Sequence, residues 1–199
     1  MNLAVFGATG GTGRLLVARS LERGHSVTAF VRSGPAEESL PGVDRVVTGD
    51  ARNPSAVRSA LRGAEAVVSA MGPQAPEPGD VYSNAIGELT RAMASAGPRR
   101  LVISANSRVL DDLPLDGPYA AVSQEHRDAL ACLHVADLDW TVVATPMLAD
   151  DEPRGGYQAV VDERGYGPSI SRADFATALL DALDHPEWAG HVVDVSTAA

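Results

Sequence analysis

Short runs of β-branched and apolar residues alternate along this chain with longer stretches whose apolar positions recur every three or four residues. The short runs are Leu3–Phe6, Val27–Val31, Arg45–Thr48, Ala66–Ala70, Leu101–Ser104, Trp140–Ala144 and Val192–Val195, each of strand length. Helical stretches fall between them. Arg14–Arg23 places Leu15, Leu16, Ala18 and Leu21 at helical spacing and stops at Gly24, and Ser55–Leu61, Val81–Ala96 and Gln124–Ala136 continue the alternation. A last helix opens at Ser171-Arg172-Ala173-Asp174, a capping-box-like start, and carries Phe175, Leu179, Leu180 and Leu183 on one face.

Strands that alternate with helices imply parallel βαβ units, whose crossovers are right-handed and bury the sheet on both faces. The expected fold is therefore α/β: a single domain over residues 1–199, with a doubly wound, mostly parallel sheet and helices on both sides. Ligands of such sheets bind beyond the carboxyl ends of the strands. The proline-rich loop 72–79, after the fourth strand, is expected to border that site.

With 199 residues, 45% of them hydrophobic, the chain can bury one sizeable core, yet no stretch approaches the roughly 20 apolar residues of a membrane span. No membrane partner is expected. Met1–Phe6 lacks the basic start of a secretory leader, so no cleaved segment is expected either. A net charge of −10 argues against a nucleic-acid partner, which calls for a basic stripe. Cys132 is the lone cysteine; it reads as a packing thiol, and a reducing cytoplasm suits it. His25, His134, His185 and His191 are scattered without ligand spacing, so no metal site is expected. All 16 basic side chains are arginine, which closes any mechanism that needs a lysine ammonium. Either a monomer or a homodimer is compatible with these features.

The first strand ends in Gly7-Ala8-Thr9-Gly10-Gly11-Thr12-Gly13, with a helix expected from Arg14. Gly7, Gly10 and Gly13 permit a tight turn, a close backbone approach to a pyrophosphate and close helix–sheet packing, and the helix start favours negative charge. Between a strand and a helix, this spacing reads as the dinucleotide-binding loop of a Rossmann fold, the other reading being a plain glycine-rich turn. Gly7, Thr9, Gly10, Gly11, Thr12 and Gly13 are its candidate contacts, with Arg14 either a further contact or a solvated helix residue.

Preference at the 2′ position is read at the end of the second strand, where NAD binders usually carry an acid about 20 residues past the loop. This chain has Arg32 there, followed by Ser33. A guanidinium can pair with a 2′-phosphate and neutralise it, so NADP(H) is expected ahead of NAD(H). After the third strand, Asp50 and Ala51 are candidates for the adenine, with Asp50 accepting from its amine or else shaping an Asx turn before Asn53-Pro54. Ala70, Met71 and Gly72, after the fourth strand, would let the backbone pass close to the ribose.

The glycine loop, Phe30-Val31-Arg32, Gly49-Asp50, Ser104-Ala105, Leu138–Val143, Pro146 and the tail Ile170-Ser171-Arg172-Ala173-Asp174 together resemble the atypical short-chain dehydrogenase/reductase group. Within it, the chain is similar to the small NAD(P)H-binding proteins related to biliverdin-IXβ reductase/flavin reductase and to NmrA-like proteins. The resemblance covers nearly the whole chain. It implies NADP(H) binding and either reduction of planar acceptors such as flavins, quinones or tetrapyrroles, or sensing of the cofactor. By position, Ser104 matches the serine at the nicotinamide, its alternative being a bond to local backbone, and Pro146 matches a family proline. Met147 stands where flavin-reductase-like members carry a histidine, a departure that bears on the acceptor.

Better-known short-chain dehydrogenases pair Tyr with Lys four residues on, so that the ammonium lowers the phenol pKa. Here Tyr119 is followed by Ser123, so Tyr119 is a weakened acid or simply a loop or helix-start residue. His126 is a candidate proton relay, or a solvated residue at the start of its helix. Tyr157 and Met147 are candidates to cover the acceptor, packing being the other reading of Tyr157. The expected function is hydride transfer from NADPH to a small planar acceptor without a Tyr–Lys acid pair. The alternative is a non-catalytic NADP(H) sensor. A nucleotide-sugar epimerase or dehydratase fits less well, since Lys and a further substrate domain are missing.

Overall fold

Apolar β-branched runs bounded by polar turns form the strands of one sheet in the computed structural model, which describes residues 1–33, 40–73, 79–111 and 115–198. The strands are β1 (Asn2–Phe6), β2 (Ser26–Val31), β3 (Arg45–Thr48), β4 (Ala66–Ser69), β5 (Arg100–Asn106), β6 (Asp139–Thr145), β8 (Tyr157–Val161) and β10 (His191–Thr197). Their spatial order is β3-β2-β1-β4-β5-β6-β10-β8. Every pairing is parallel except that of β8 with β10. The crossovers carry α1 (Gly11–Glu22), α2 (Pro54–Leu61), α3 (Val81–Ala96), α4 (Ala120–His134) and α5 (Arg172–Asp181). The order reverses between β1 and β4, the switch point at which a doubly wound sheet opens a crevice for ligands.

Alternation along β1 divides the core in two. Leu3 and Val5 pack with Leu16 and Val17 of α1 and with Phe175 and Leu179 of α5, whereas Ala4 and Phe6 pack with Val57 of α2, Ile86 and Leu89 of α3, and Leu133 of α4. Each such fully buried Leu, Val or Phe contributes about 1.5–3 kcal/mol, so both helix layers are held to the sheet by burial. This is the doubly wound α/β fold expected from the alternation.

Several elements differ from expectation. Helix α1 starts at Gly11 rather than Arg14, because packing of Gly13 against Gly7 outweighs the poor helix propensity of Gly11-Thr12-Gly13. Helix α4 covers Ala120–His134 instead of Gln124–Ala136. Strands β5 and β6 run on to Asn106 and Thr145, so Ser104 lies within its strand rather than at its end. The edge strand β8 was not anticipated; its half-exposed Tyr-Gln-Ala-Val-Val lacks a clear apolar alternation. Nor was the small parallel pair β7 (Leu148–Ala149) and β9 (Ile170–Ser171), too short to show a period.

The capping-box-like start of α5 is present. Ser171 Oγ accepts from Asp174 N at 2.9 Å and donates to Asp174 Oδ2 at 2.8 Å. The same buried carboxylate accepts from Arg154 N (2.8 Å) and Gly155 N (3.1 Å), which ties the loop before β8 to the head of α5.

Candidate functional site

The loop from β1 into α1 is shaped by close backbone approaches. Gly7 has φ +73°, and a Cβ there would lie 2.8 Å from Met71 N, so this loop and the one after β4 touch across the switch point. Gly10 N donates to Gly7 O at 3.1 Å. A Cβ on Gly13 would fall 1.9 Å from Gly7 O, which only a glycine avoids. Gly10 caps α1 with no side-chain hydrogen bond, and the first turn holds no acid. The start of α1 thus keeps its positive end for an anion from outside the helix, and the glycines let a pyrophosphate approach the backbone. A dinucleotide fits these residues. Thr9 is half-buried and Thr12 buried in the turn. Arg14 is exposed and braces the loop, its Nε donating to Thr9 O at 3.0 Å.

Arg32 and Ser33 follow β2 directly and are exposed; residues 34–39 lie outside the described residues. Register places Val31 beside Thr48, which brings Arg32 and Asp50 to one corner of the crest. Asp50 Oδ2 accepts from Arg52 Nη2 at 2.6 Å, and Oδ1 accepts from Arg52 N at 2.8 Å, the Asx-turn alternative of the sequence reading. The Arg52 side-chain bond first, and its backbone N–H second, hold the Asp50 carboxyl down at about 2, with Arg32 adding a smaller attraction. Arg52 escaped the sequence reading, although its place two residues past an Asx-turn aspartate signals it. Ala51 and Ala70 are half-buried packing residues, Met71 is half-buried, and Gly72 is exposed with open space around its Cα. Of the proline-rich loop, residues 74–78 lie outside the described residues.

At the other end of the crevice, Ser104 is locked. Its Oγ donates to Met71 O at 2.8 Å, and its own carbonyl accepts from Tyr82 Oη at 2.9 Å. Its hydroxyl proton thus goes to backbone, but to that of the loop after β4, 33 residues away, rather than to local backbone, while the oxygen lone pairs remain. Burial first, then the Glu125 charge, pushes the Tyr82 hydroxyl above the ordinary phenol range. The Tyr82 ring meets His126 edge-on, with centroids 4.9 Å apart. His126 is buried rather than solvated, and burial lowers its pKa to about 4, so near neutrality it is the uncharged imidazole and not a charged acid. Asn106 and Thr145 are register partners at the ends of β5 and β6. Asn106 Nδ2 donates to Ser123 Oγ at 3.0 Å, whereas Asn106 Oδ1, Thr145 Oγ1 and His126 Nδ1 are buried polar atoms without a partner.

Tyr119 stands at the N-cap of α4, 61% exposed, and Met147 is 63% exposed beside half-buried Pro146. Tyr157 follows its packing reading. Its hydroxyl donates to Asp181 Oδ2 at 2.8 Å, the carboxylate that also takes Arg23 where α1 and α5 end, so it is tied to the end of α5. A surface groove of about 700 Å³ lies at the opposite, amino-terminal edge of the sheet, lined by Arg58, Arg62 and Pro98, and none of the expected site residues line it. Among the described residues, no group of three or more His, Cys, Asp or Glu is placed to hold a metal, and no helix is long and apolar enough to cross a membrane.

Comparison with known proteins agrees with this geometry. A candidate exported protein of Burkholderia pseudomallei is 26% identical, with TM-score 0.83 over 98% of this chain and 99% of that one. SP1627 of Streptococcus pneumoniae, a candidate NADH-flavin reductase, is 24% identical, with TM-score 0.84 over the whole of both chains, 100% and 100%. The anaerobillin reductase ChuY of Escherichia coli is 24% identical, with TM-score 0.84 over 98% and 97%. These likenesses support the Rossmann-type fold. Residues 7–186, from the first glycine of the loop to beyond α5, match the NAD(P)H-binding family. The chain belongs to the NAD(P)H-binding family.

Proposed function

We propose that the protein is an NADP(H)-dependent reductase for a small planar acceptor, a flavin, quinone or related carbonyl compound, and that it works in the cytoplasm, which a chain with one cysteine tolerates. The observation that carries this reading is the uncapped glycine start of α1 with Arg32 at the next strand end. NADPH, when bound, supplies the hydride; solvent supplies the accompanying proton. The first turn of α1 holds the diphosphate, and Arg32 with Arg52 offers two guanidiniums to a 2′-phosphate. Ser104, held by Met71 O, offers an oxygen lone pair and a fixed wall rather than a proton. Proximity and orientation then carry the rate, a demand that fits a flat acceptor reducible without a protein acid.

A second reading, a non-catalytic sensor of the nucleotide, is favoured by that same lack of a poised acid: His126 is neutral, and the Ser104 hydroxyl already donates to Met71 O. Cofactor absorbance followed with NADPH and a panel of flavins, quinones and carbonyl compounds separates them. Turnover on at least one planar acceptor is expected; tight NADPH binding with no turnover on any selects the sensor. Arg32→Ala is expected to weaken NADPH by roughly tenfold or more while sparing NADH, as loss of a charge-assisted pair predicts. Equal affinities for the two cofactors before and after the change would remove the 2′-phosphate assignment.

A further inference from the structure

The phosphate loop holds four glycines, and the nucleotide reading accounts for three of them. Gly7 needs its positive φ, Gly13 its contact with Gly7 O, and Gly10 the tight turn that returns its N–H to the same carbonyl. Gly11 is different. Its backbone is helical, and the three atoms nearest to a Cβ there all belong to Arg172, at 3.3 Å for Cδ, 3.5 Å for Nε and 3.8 Å for Cζ. The first residue of α5 thus lays its guanidinium stem across the bare first residue of α1, where the helix presents its positive end.

Arg172 Nε donates to Asp150 Oδ1 at 2.5 Å, and this partner is 82% exposed. An exposed pair of this kind is weakly held and readily exchanged. A diphosphate offers two charges and several acceptor oxygens, against one carboxylate, to the planar fork of a guanidinium. Asp150, Asp151 and Glu152 would otherwise repel a diphosphate arriving beside them. Arg14, the other arginine of this corner, already spends its Nε on Thr9 O.

We propose that Arg172 is a nucleotide-binding residue: its guanidinium leaves Asp150 for the diphosphate seated on the start of α1, and Gly11 is a glycine to give it room. This rests on the nucleotide reading of the loop. Titration calorimetry with NADPH, NADH and ADP-ribose tests it. Arg172→Gln is expected to weaken all three alike, by roughly 10- to 100-fold, because all three carry the diphosphate. Arg172→Lys should recover part of the loss. Gly11→Ala, whose Cβ meets the flexible Arg172 side chain first, should reproduce it with the melting temperature kept, and serves if Arg172→Gln does not fold. Asp150→Asn should bind as tightly as the parent or more so.

Unchanged affinity in folded Arg172→Gln overturns the proposal. So does a loss confined to NADPH, which would point to the 2′-phosphate, or an equal loss in Asp150→Asn, which would make the ion pair a structural brace. A parent protein that binds none of the three ligands would instead overturn the nucleotide reading itself, and the proposal with it.

Discussion

Helices α1 and α3 both begin at the carboxyl edge of the sheet, and they treat their first N–H groups in opposite ways. At α3, buried Glu125 reaches over from α4, and its Oε2 accepts from Tyr82 N at 2.7 Å and Ser83 N at 3.4 Å. At α1, the cap is Gly10, with no side-chain bond and no acid in the first turn. The physics is the same in both places: unpaired donors and a partial positive charge that an anion stabilises. Where the helix is structural, the fold supplies the anion from within. Where it faces the switch point, the fold supplies no side-chain anion, and glycine and arginine line the place where the proposed nucleotide would set its diphosphate.

The largest break in this comparison comes from filling the α1 turn. Gly13→Ala sets a Cβ 1.9 Å from a backbone oxygen, which no rotamer change relieves. It is expected to cost about 3 kcal/mol or more, the upper end for overpacking, and to abolish NADPH binding. Gly72→Ala is the control for stability, since a Cβ there meets nothing within 4 Å. Thermal melts of the two variants with a parent reference decide it. Equal melting temperatures for Gly13→Ala and the parent would mean that the tight loop is not built as described.

The next effect belongs to the α3–α4 seam, which closes on itself through His126 as well as Glu125. In the unfolded chain an imidazole titrates near 6.5, and burial lowers that of His126 to about 4. Between those values the unfolded chain binds more protons than the folded one, so stability falls as pH is lowered through the window and levels off below it. The loss amounts to at most about 3 kcal/mol. His126→Phe, which keeps the ring against Tyr82 and removes the unpartnered Nδ1, should flatten this slope. Urea denaturation between pH 7 and pH 4 checks it; a slope equal to that of the parent would place the titration elsewhere.

What could be read along the chain was whatever is decided by neighbours in sequence. The glycine spacing, the Ser171–Asp174 cap and the alternation of strands and helices are local, and each is present, with Arg32 directly after the carboxyl end of β2. The fold was legible because parallel strands buried on both faces are continuously apolar. Contacts across the sheet edge were not. Glu125 caps a helix through Tyr82, 43 residues earlier, Tyr82 reaches Ser104, and Arg172 lies on Gly11, and no periodicity encodes such pairings. His126 misled for a related reason. A histidine between Glu125 and Arg127 reads as solvated, yet the face it occupies is set by Tyr82 on another helix.

The smallest change in stability gives the sharpest test, because it exchanges the two helix starts. Gly10→Asp puts a carboxylate at the cap of α1, where φ −70° and ψ 167° suit an N-cap aspartate and a Cβ lies 3.4 Å from its nearest neighbour. A gain of about 0.5 kcal/mol is expected from the cap and the helix dipole, together with a loss of NADPH affinity, since the new charge occupies the place of the phosphate and repels it. Glu125→Gln makes the reverse change at α3. Trading charge-assisted bonds for neutral ones should cost about 1 kcal/mol and leave NADPH affinity as it was. Stability and affinity therefore move in opposite directions at α1 and separate entirely at α3. If Gly10→Asp bound NADPH as tightly as the parent, the start of α1 would be a structural end like that of α3, and the nucleotide would have to be held elsewhere.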